Sequence, residues 1–412
     1  MKLLALSPAL ALRWRLTLIA AAAGAVAGIG YTLLTGAEVP TIRACVAALL
    51  VLGGLALGRD AFTLRLLAVG ALIVLIFWPE TLMGPSFQLS FAAIAAIVTL
   101  HEHPRIKALL SRREEGFPQK LGRGLLALVL TGLAVEVALT PIALYHFHKA
   151  GFYGALANIV AIPLTTFIIM PLEALALLFD LVGLGAPFWW LTGSALSMVL
   201  GLAHAAANAP GAVAMLPTMP IAAFALMVAG GIWFCLWRTR WRIFGLGASA
   251  LGALWAVSTP APDMIVTGDG RHLAMRLPTG ELAILRGRAG DYVRDMLQET
   301  SGAETEFVEL QDARTASCSE DLCAADLVKE DRRWRILATR SSRLVDFGPL
   351  AKACAEADIV VSDRRLPRTC TPKWLKADRA FLARSGGLAI TLEGQPSVST
   401  VAARVGRHPW AF

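Results

Sequence analysis

Charge is what this chain has least of. Only 17% of its 412 residues are Asp, Glu, Lys or Arg, where soluble domains carry about 25%. The shortage is uneven. Through Val257 the sequence is a series of apolar runs separated by short polar loops. Most runs approach the roughly 20 residues a helix needs to cross a bilayer core, and Lys and Arg are nearly missing inside them. This excludes an ordinary soluble fold for the first part. The sixteen Lys and Arg against nine Asp and Glu in that part sit mostly in loops, and report topology rather than nucleic-acid binding. From Ser258 onward the balance is 22 to 21 and the sequence reads as a soluble domain.

Histidine and cysteine are scarce too. Of seven histidines, the tail holds His272 and His408, too few for a site built on several imidazoles. Of six cysteines, Cys45 and Cys235 fall in apolar runs, and Cys318, Cys323, Cys354 and Cys370 in the tail. An even number in a small domain permits two disulfides in any of three pairings. Buried free thiols are a second reading. A metal clip on Cys318 and Cys323 is a third, without a histidine at ligand spacing to support it. Arg13 and Arg15 follow the mildly apolar Met1–Ala11, the wrong order for a cleavable signal peptide.

The apolar runs are Leu16–Leu34, Thr41–Leu57, Leu64–Phe77, Gly84 to about Leu100, Leu125–Leu144, Tyr153–Phe179, Phe188–Ala207 and Ile221–Val257. The last is split by Arg238-Thr239-Arg240-Trp241-Arg242. Phe188–Ala207 is rich in small residues and contains His204, and is set aside as an interfacial helix. The expectation is therefore a polytopic α-helical membrane protein with about eight spans over 1–257. Basic residues mark alternate loops: Arg13 and Arg15; Arg59 and Arg65; then Arg105, Lys107, Arg112, Arg113, Lys120 and Arg123. These are cytoplasmic by the positive-inside rule. Omitting Phe188–Ala207 is expected to keep the Arg238–Arg242 loop inside and to deliver the tail, 258–412, outside, where paired cysteines persist. The tail alternates strand-like runs (Met264–Val266, Ala274–Leu277, Leu282–Leu285, Arg335–Ala338, Ile359–Val361, Leu388–Leu392) with helix-like ones (Tyr292–Glu299, Leu350–Ala357). Gly268-Asp269-Gly270 and Pro278-Thr279-Gly280 are turn signals, and the whole suggests a soluble α/β domain.

Polar residues inside the apolar runs demand an explanation, because an unpartnered amide in hydrocarbon costs several kcal/mol. Gln88 and Ser90 follow a break made by Pro79, Gly84 and Pro85. Glu136 and Thr140 lie in the fifth run, Asn158 and Glu173 in the sixth. Each is read either as glue between helices or as the lining of a hydrated path. His146 and His148 fall in the next loop and read as solvated turn residues. In the tail, Arg332-Arg333-Trp334-Arg335 and Arg364-Arg365, with Arg368, Lys373, Trp374 and Lys376, could hold single-stranded DNA by charge and stacking. They could equally be a solvated face over a buried tryptophan.

Gly84-Pro85-Ser86-Phe87-Gln88-Leu89-Ser90-Phe91 resembles the "GFQLSF" signature of ComEC-type competence proteins. Leu33–Ala44, reading LLTGAEVPTIRA, is similar to that family's "LLTGASVPTVRA". Thr140-Pro141-Ile142 with Phe147, and Asn158 with Pro163 and Pro171, are similar to two further segments. The resemblance implies an inner-membrane channel passing single-stranded DNA into the cytoplasm during natural transformation. It implies as partners single-stranded DNA, membrane lipid and other competence proteins, and permits a homo-oligomer. Family members usually carry further spans and an OB-like domain upstream, so this chain is expected to be a fragment or a shortened form. Many end in a metallo-β-lactamase-like domain whose metals are held by a His-x-His-x-Asp-His loop. The tail fits that outline without those ligands, so it is expected to be a degenerate version on the periplasmic side, with no metal, no cofactor and no nuclease activity. The rival readings are a small-solute or proton-coupled permease using Glu136 and Glu173, and a membrane-anchored nuclease.

Overall fold

The computed structural model describes residues 16–56, 63–111, 116–303, 305–341 and 343–406. Arg13, Arg15, Arg59, Arg112, Arg113 and His408 lie outside the described residues. The chain divides into two compact units. Met1–His146, Gly151–Val213 and Met227–Ser249 form the first; Phe147–Ala150, Ala214–Leu226 and Ala250–Phe412 form the second.

Helices occupy most of the residues through Val257: α1 (Leu16–Leu34), α2 (Val39–Ala56), α3 (Leu64–Phe77), α4 (Pro85–Glu102), the short α5 (Pro104–Leu110), α6 (Phe117–Phe147), α7 (Gly154–Asp180), α8 (Ala186–Ala207), α9 (Ile221–Leu236) and α10 (Arg242–Val257). Polar residues and prolines set their ends. Thr63 caps α3, its hydroxyl accepting from Leu66 N–H at 3.3 Å. Pro79 opens a 3-10 turn, Pro79–Met83, and Pro85 takes the start of α4, where its missing N–H would have been an orphan anyway. Inside α7 a π turn, Thr165–Ile169, sits between Pro163 and Pro171; each proline removes a backbone donor, and the wider turn re-threads the ladder. Large apolar side chains such as Phe167, Leu181 and Trp190 remain exposed, as suits helices whose surroundings are as apolar as leucine.

By length and composition α6, α7 and α8 can cross a membrane, while Leu18–Leu34, Pro40–Ala56, α3, α9 and α10 are apolar but shorter. The segment set aside in the sequence is thus one of the three. Backbone pairing argues against setting it aside. β1 (Lys149–Gly151), after α6, pairs with β2 (Val213–Met215), after α8. Leu216 N–H donates to His148 O at 2.9 Å, and Phe152 N–H to Ala212 O at 3.0 Å. Strands at one level are separated by an even number of crossings, which α7 and α8 supply together and α7 alone does not. Arg238, between α9 and α10, also pairs with Glu102 at the end of α4, Nη2 to Oε2 at 2.6 Å. Counting from a cytoplasmic N terminus with every apolar helix crossing, these two residues share the inner side and the tail emerges outside. Omitting α8 reverses both. The expected parity was therefore the wrong way round: keeping the Arg238–Arg242 loop inside requires α8.

The tail is a four-layer α/β/β/α sandwich. One sheet has the order β13-β12-β3-β4-β5-β6, built from β3 (Met264–Thr267), β4 (Leu273–Arg276), β5 (Leu282–Ile284), β6 (Phe307–Glu309), β12 (Gly387–Thr391) and β13 (Ser397–Thr400). It is antiparallel except for β5 and β6. The other has the order β11-β10-β9-β8-β7, from β7 (Ala316–Cys318), β8 (Leu322–Lys329), β9 (Arg332–Thr339), β10 (Ile359–Val361) and β11 (Leu375–Ala377). Met264, Val266, Leu273 and Met275 of the first sheet bury against Leu327, Trp334, Ile336 and Val361 of the second, each large side chain contributing about 1.5–3 kcal/mol. Helix α11 (Asp291–Ser301) covers Ile265, Ala274 and Ile284 with Leu297. Helix α12 (Phe347–Glu356) covers Leu337 and Val360 with Leu350 and Cys354.

All the expected strands and helices of the tail are present. The four cysteines of the tail are placed as two disulfides, Cys318–Cys323 and Cys354–Cys370. Asp263, 2% exposed, accepts from Leu392 N–H at 2.7 Å and pairs with Lys329 Nζ at 2.8 Å. It thereby ties the start of β3 to the end of β8 in the other sheet.

Candidate functional site

Gln88 stands near the start of α4, just beyond the proline break. Its Nε2 donates to Leu82 O, in the 3-10 turn, at 2.9 Å. Its Oε1 lies 2.9 Å from Nε2 of His146, at the far end of α6, so His146 carries a proton on that nitrogen. The broken turn supplies the carbonyl and a neighbouring helix supplies the donor, which removes the cost of an unpartnered amide. His146 is thus a helix-to-helix partner rather than the solvated turn residue the sequence suggested.

One turn further, the Ser90 hydroxyl donates to Ser86 O at 2.8 Å, and the Ser86 hydroxyl accepts from Arg43 Nη2. Arg43 is not among the polar residues singled out in the apolar runs. It lies inside the first turns of α2 and is 8% exposed. With Ser90 it lines a cavity of about 540 Å³ between α2, α3 and α4. The signal that could have found it is its place in the VPTIRA stretch, four residues into an apolar helix.

Glu136 in α6 accepts from Ala155 N–H, in the first turn of α7, through Oε2 at 3.0 Å. A carboxylate at a helix N-terminus answers both the orphan N–H and the helix dipole. The Thr140 hydroxyl returns to Glu136 O at 2.7 Å, beside the donor lost at Pro141. Asn158 is exposed one turn into α7, and Glu173 is half-buried in its later part. Hydrogen bonds therefore link α4 to α6 and α6 to α7, but among the described residues they do not join the six candidates into one network. Ser90 alone of the six lines the cavity beside Arg43.

In the tail the basic clusters separate. Trp334 is 1% exposed in the inter-sheet core, edge-on to half-buried Trp374 at 5.3 Å, with the Arg332 guanidinium 3.7 Å above its ring. No base can stack on it, which removes it as a stacking platform. Arg335 is held by Asp326 at 3.0 Å, and this hydrogen bond and charge raise its pKa above the ordinary value. Arg364 donates to Arg343 O and lies 3.7 Å from Asp363. Arg333, Arg365 and Lys373 are exposed.

At the ends of β3, β5, β9 and β10 a second polar group gathers. Arg286 pairs with Asp363 at 3.0 Å and donates to Thr339 O at 3.3 Å; the Thr339 hydroxyl donates to Ser362 Oγ at 3.1 Å. Gly270, at φ +68, passes so close to Ser362 O that a Cβ would stand 2.8 Å from it, hence the Gly268-Asp269-Gly270 turn. His272 and Asp269 sit beside it. Burial pushes His272 below its ordinary pKa of 6.5; Asp269 opposes this, and Arg286 and Arg271 reinforce it. Burial alone would raise Asp269, but hydrogen bonds from the Thr267 hydroxyl and Arg271 N–H, with the charges of His272 and Arg271, bring it below 3.8. Among the described residues no group of three or more His, Cys, Asp or Glu could hold a metal ion. A guanidinium within this group is the wrong donor chemistry for a cation site.

Apolar helices with polar side chains answered across them, attached to an α/β/β/α domain, define a membrane protein carrying a folded polar module. Residues 1–241 match the family described as Competence protein, and the chain belongs to that family. It is 29% identical over 197 residues to the Escherichia coli (strain K12) protein named Uncharacterized protein YcaI, covering 46% of this chain and 24% of that one. It is 27% identical over 141 residues to ComE operon protein 3 of Bacillus subtilis (strain 168), covering 34% and 16%. The matched part spans less than a quarter of either relative. No solved structure matches the chain.

Proposed function

We propose that this chain acts in DNA uptake during bacterial competence, as an inner-membrane component that passes single-stranded DNA toward the cytoplasm. The carrying observation is that the family match, residues 1–241, covers the helical region where Gln88, Arg43 and Glu136 reach across helices. Gln88, Ser90, Thr140, Asn158 and Glu173 are read as polar groups flanking the path. Glu136 would repel phosphate, and the Ala155 N–H and the α7 dipole moderate that charge. Two disulfides and the β1–β2 ribbon support a periplasmic tail. Arg333, Arg365 and Lys373 would meet the backbone of single-stranded DNA there, and we read the tail as lacking metal-dependent nuclease chemistry. Other competence proteins and further copies of this chain are read as its partners.

The test is a deletion strain assayed with labelled DNA. Expected is DNA that reaches the periplasm in a protected form while transformants vanish, with recovery on restoring the wild-type gene. Normal transformation in the deletion strain, or loss of small-solute uptake with DNA transfer intact, would overturn the reading in favour of a permease.

A further inference from the structure

We propose that the cavity between α2, α3 and α4 holds an anionic phospholipid, its phosphodiester on Arg43 and one acyl chain laid along the helices. An arginine buried among apolar helices needs its charge answered. Arg43 Nη2 donates to the Ser86 hydroxyl, a neutral acceptor, while its Nε is buried without a partner. No carboxylate among the described residues pairs with it. A phosphodiester is monoanionic and can accept from Nε and Nη together, in the bidentate geometry a guanidinium favours.

The rest of the cavity fits a chain rather than a polar ligand. Val46, Leu50, Leu67, Gly70 and Ile94 are among its walls. Arg43 to Val51 and Ser90 to Val98 each run about 12 Å along their helices at the α-helical rise, close to one leaflet of about 15 Å. The polar end also lies where a headgroup belongs, since Arg43 is in the first turns of α2 and Ser86 in the first turn of α4. A DNA strand would bring repeated charges and polar edges into a trench with one cation and apolar walls, so lipid is the better fit. This inference rests on the membrane setting and not on DNA conduction, and it stands or falls separately.

The test uses the full chain in mild detergent, titrated with phosphatidylglycerol or with phosphatidylcholine of the same acyl chains and read by native mass spectrometry. Expected is a first phosphatidylglycerol bound more tightly than phosphatidylcholine. Arg43→Gln should weaken it about tenfold to a hundredfold, the loss of a charged hydrogen bond, and Arg43→Lys should retain part of the preference. Ala47→Phe, which fills the trench and leaves the guanidinium in place, should weaken binding of both lipids. It also carries the test if Arg43→Gln does not fold. Equal affinity for the two lipids, or unchanged binding in Arg43→Gln and Ala47→Phe, overturns the proposal. Displacement of phosphatidylglycerol by a short single-stranded oligonucleotide, lost in Arg43→Gln, overturns it in favour of a DNA contact.

Discussion

The two regions solve the problem of polar groups in opposite ways. In the tail, polar side chains are tied at the edges of a dry core, as Asp263 is to Lys329 and Leu392 N–H, and buried apolar side chains carry the stability. In the helical region few large side chains are buried and many are exposed. There the contacts that set one helix against another are single polar pairs: Gln88 with His146, Arg43 with Ser86, Glu136 with Ala155 N–H. Where the surroundings are apolar, burial discriminates poorly and hydrogen bonds carry more of the register.

The contrast can be broken most sharply by topology. In a background of Cys45→Ser and Cys235→Ser, a cysteine at Thr218 should react with an impermeant maleimide from the periplasmic side, and one at Thr239 should be silent until the membrane is opened. The inverse pattern, Thr239 labelled from the periplasm and Thr218 silent, would refute the crossing of α8. The next largest effect lies in the tail. Asp263→Ala leaves Lys329 and a backbone N–H unanswered and should cost about 3 kcal/mol, the low end for a buried pair because Lys329 keeps some solvent, seen as a lower urea midpoint of the tail's unfolding transition in the full chain. Opening Cys354–Cys370 by Cys354→Ser with Cys370→Ser should cost about 2–3 kcal/mol on the same transition.

Smaller effects follow in the helices. A double-mutant cycle of Gln88→Leu and His146→Leu should give a coupling of about 0.6–1.7 kcal/mol, measured by thermal denaturation in detergent; additivity would mean the pair is incidental. The smallest effect is in the tail again. The unfolded chain protonates His272 near 6.5 and the folded one only below that, so the tail's stability is full above about pH 6.5 and falls as pH drops beneath it. His272→Gln should flatten that slope below about pH 6.5 in urea titrations. The Asp269 carboxylate, depressed instead, holds its contribution until the pH falls toward 3.8 and below.

Much of the fold was legible. Long apolar runs, proline breaks and β-branched strand segments gave the helices and six of the tail's strands. Strands such as β8, LCAADLVK, were hidden because small residues and an aspartate mask the period-2 signal that burial later reveals. The site was half legible. Gln88 and Glu136 stood out as polar residues in apolar surroundings. Arg43 and His146 did not, because each lies near a helix end where a charge or imidazole looks solvated, and only the neighbouring helix shows otherwise. The parity of α8 follows from counting the apolar runs, but that the segments before α7 and after α8 meet needed β1 and β2, three residues each, too short to announce themselves.

The second unit gathers Phe147–Ala150 and Ala214–Leu226 from between the helices. Lys149 meets Glu299 at 2.5 Å, and a side chain on Gly302 would press on Pro217. The tail's edge is consequently a surface and not a residue number. Exchanging it with a relative's tail by cutting at one point would strand those partners, and a viable swap would have to carry both inter-helix segments along with it.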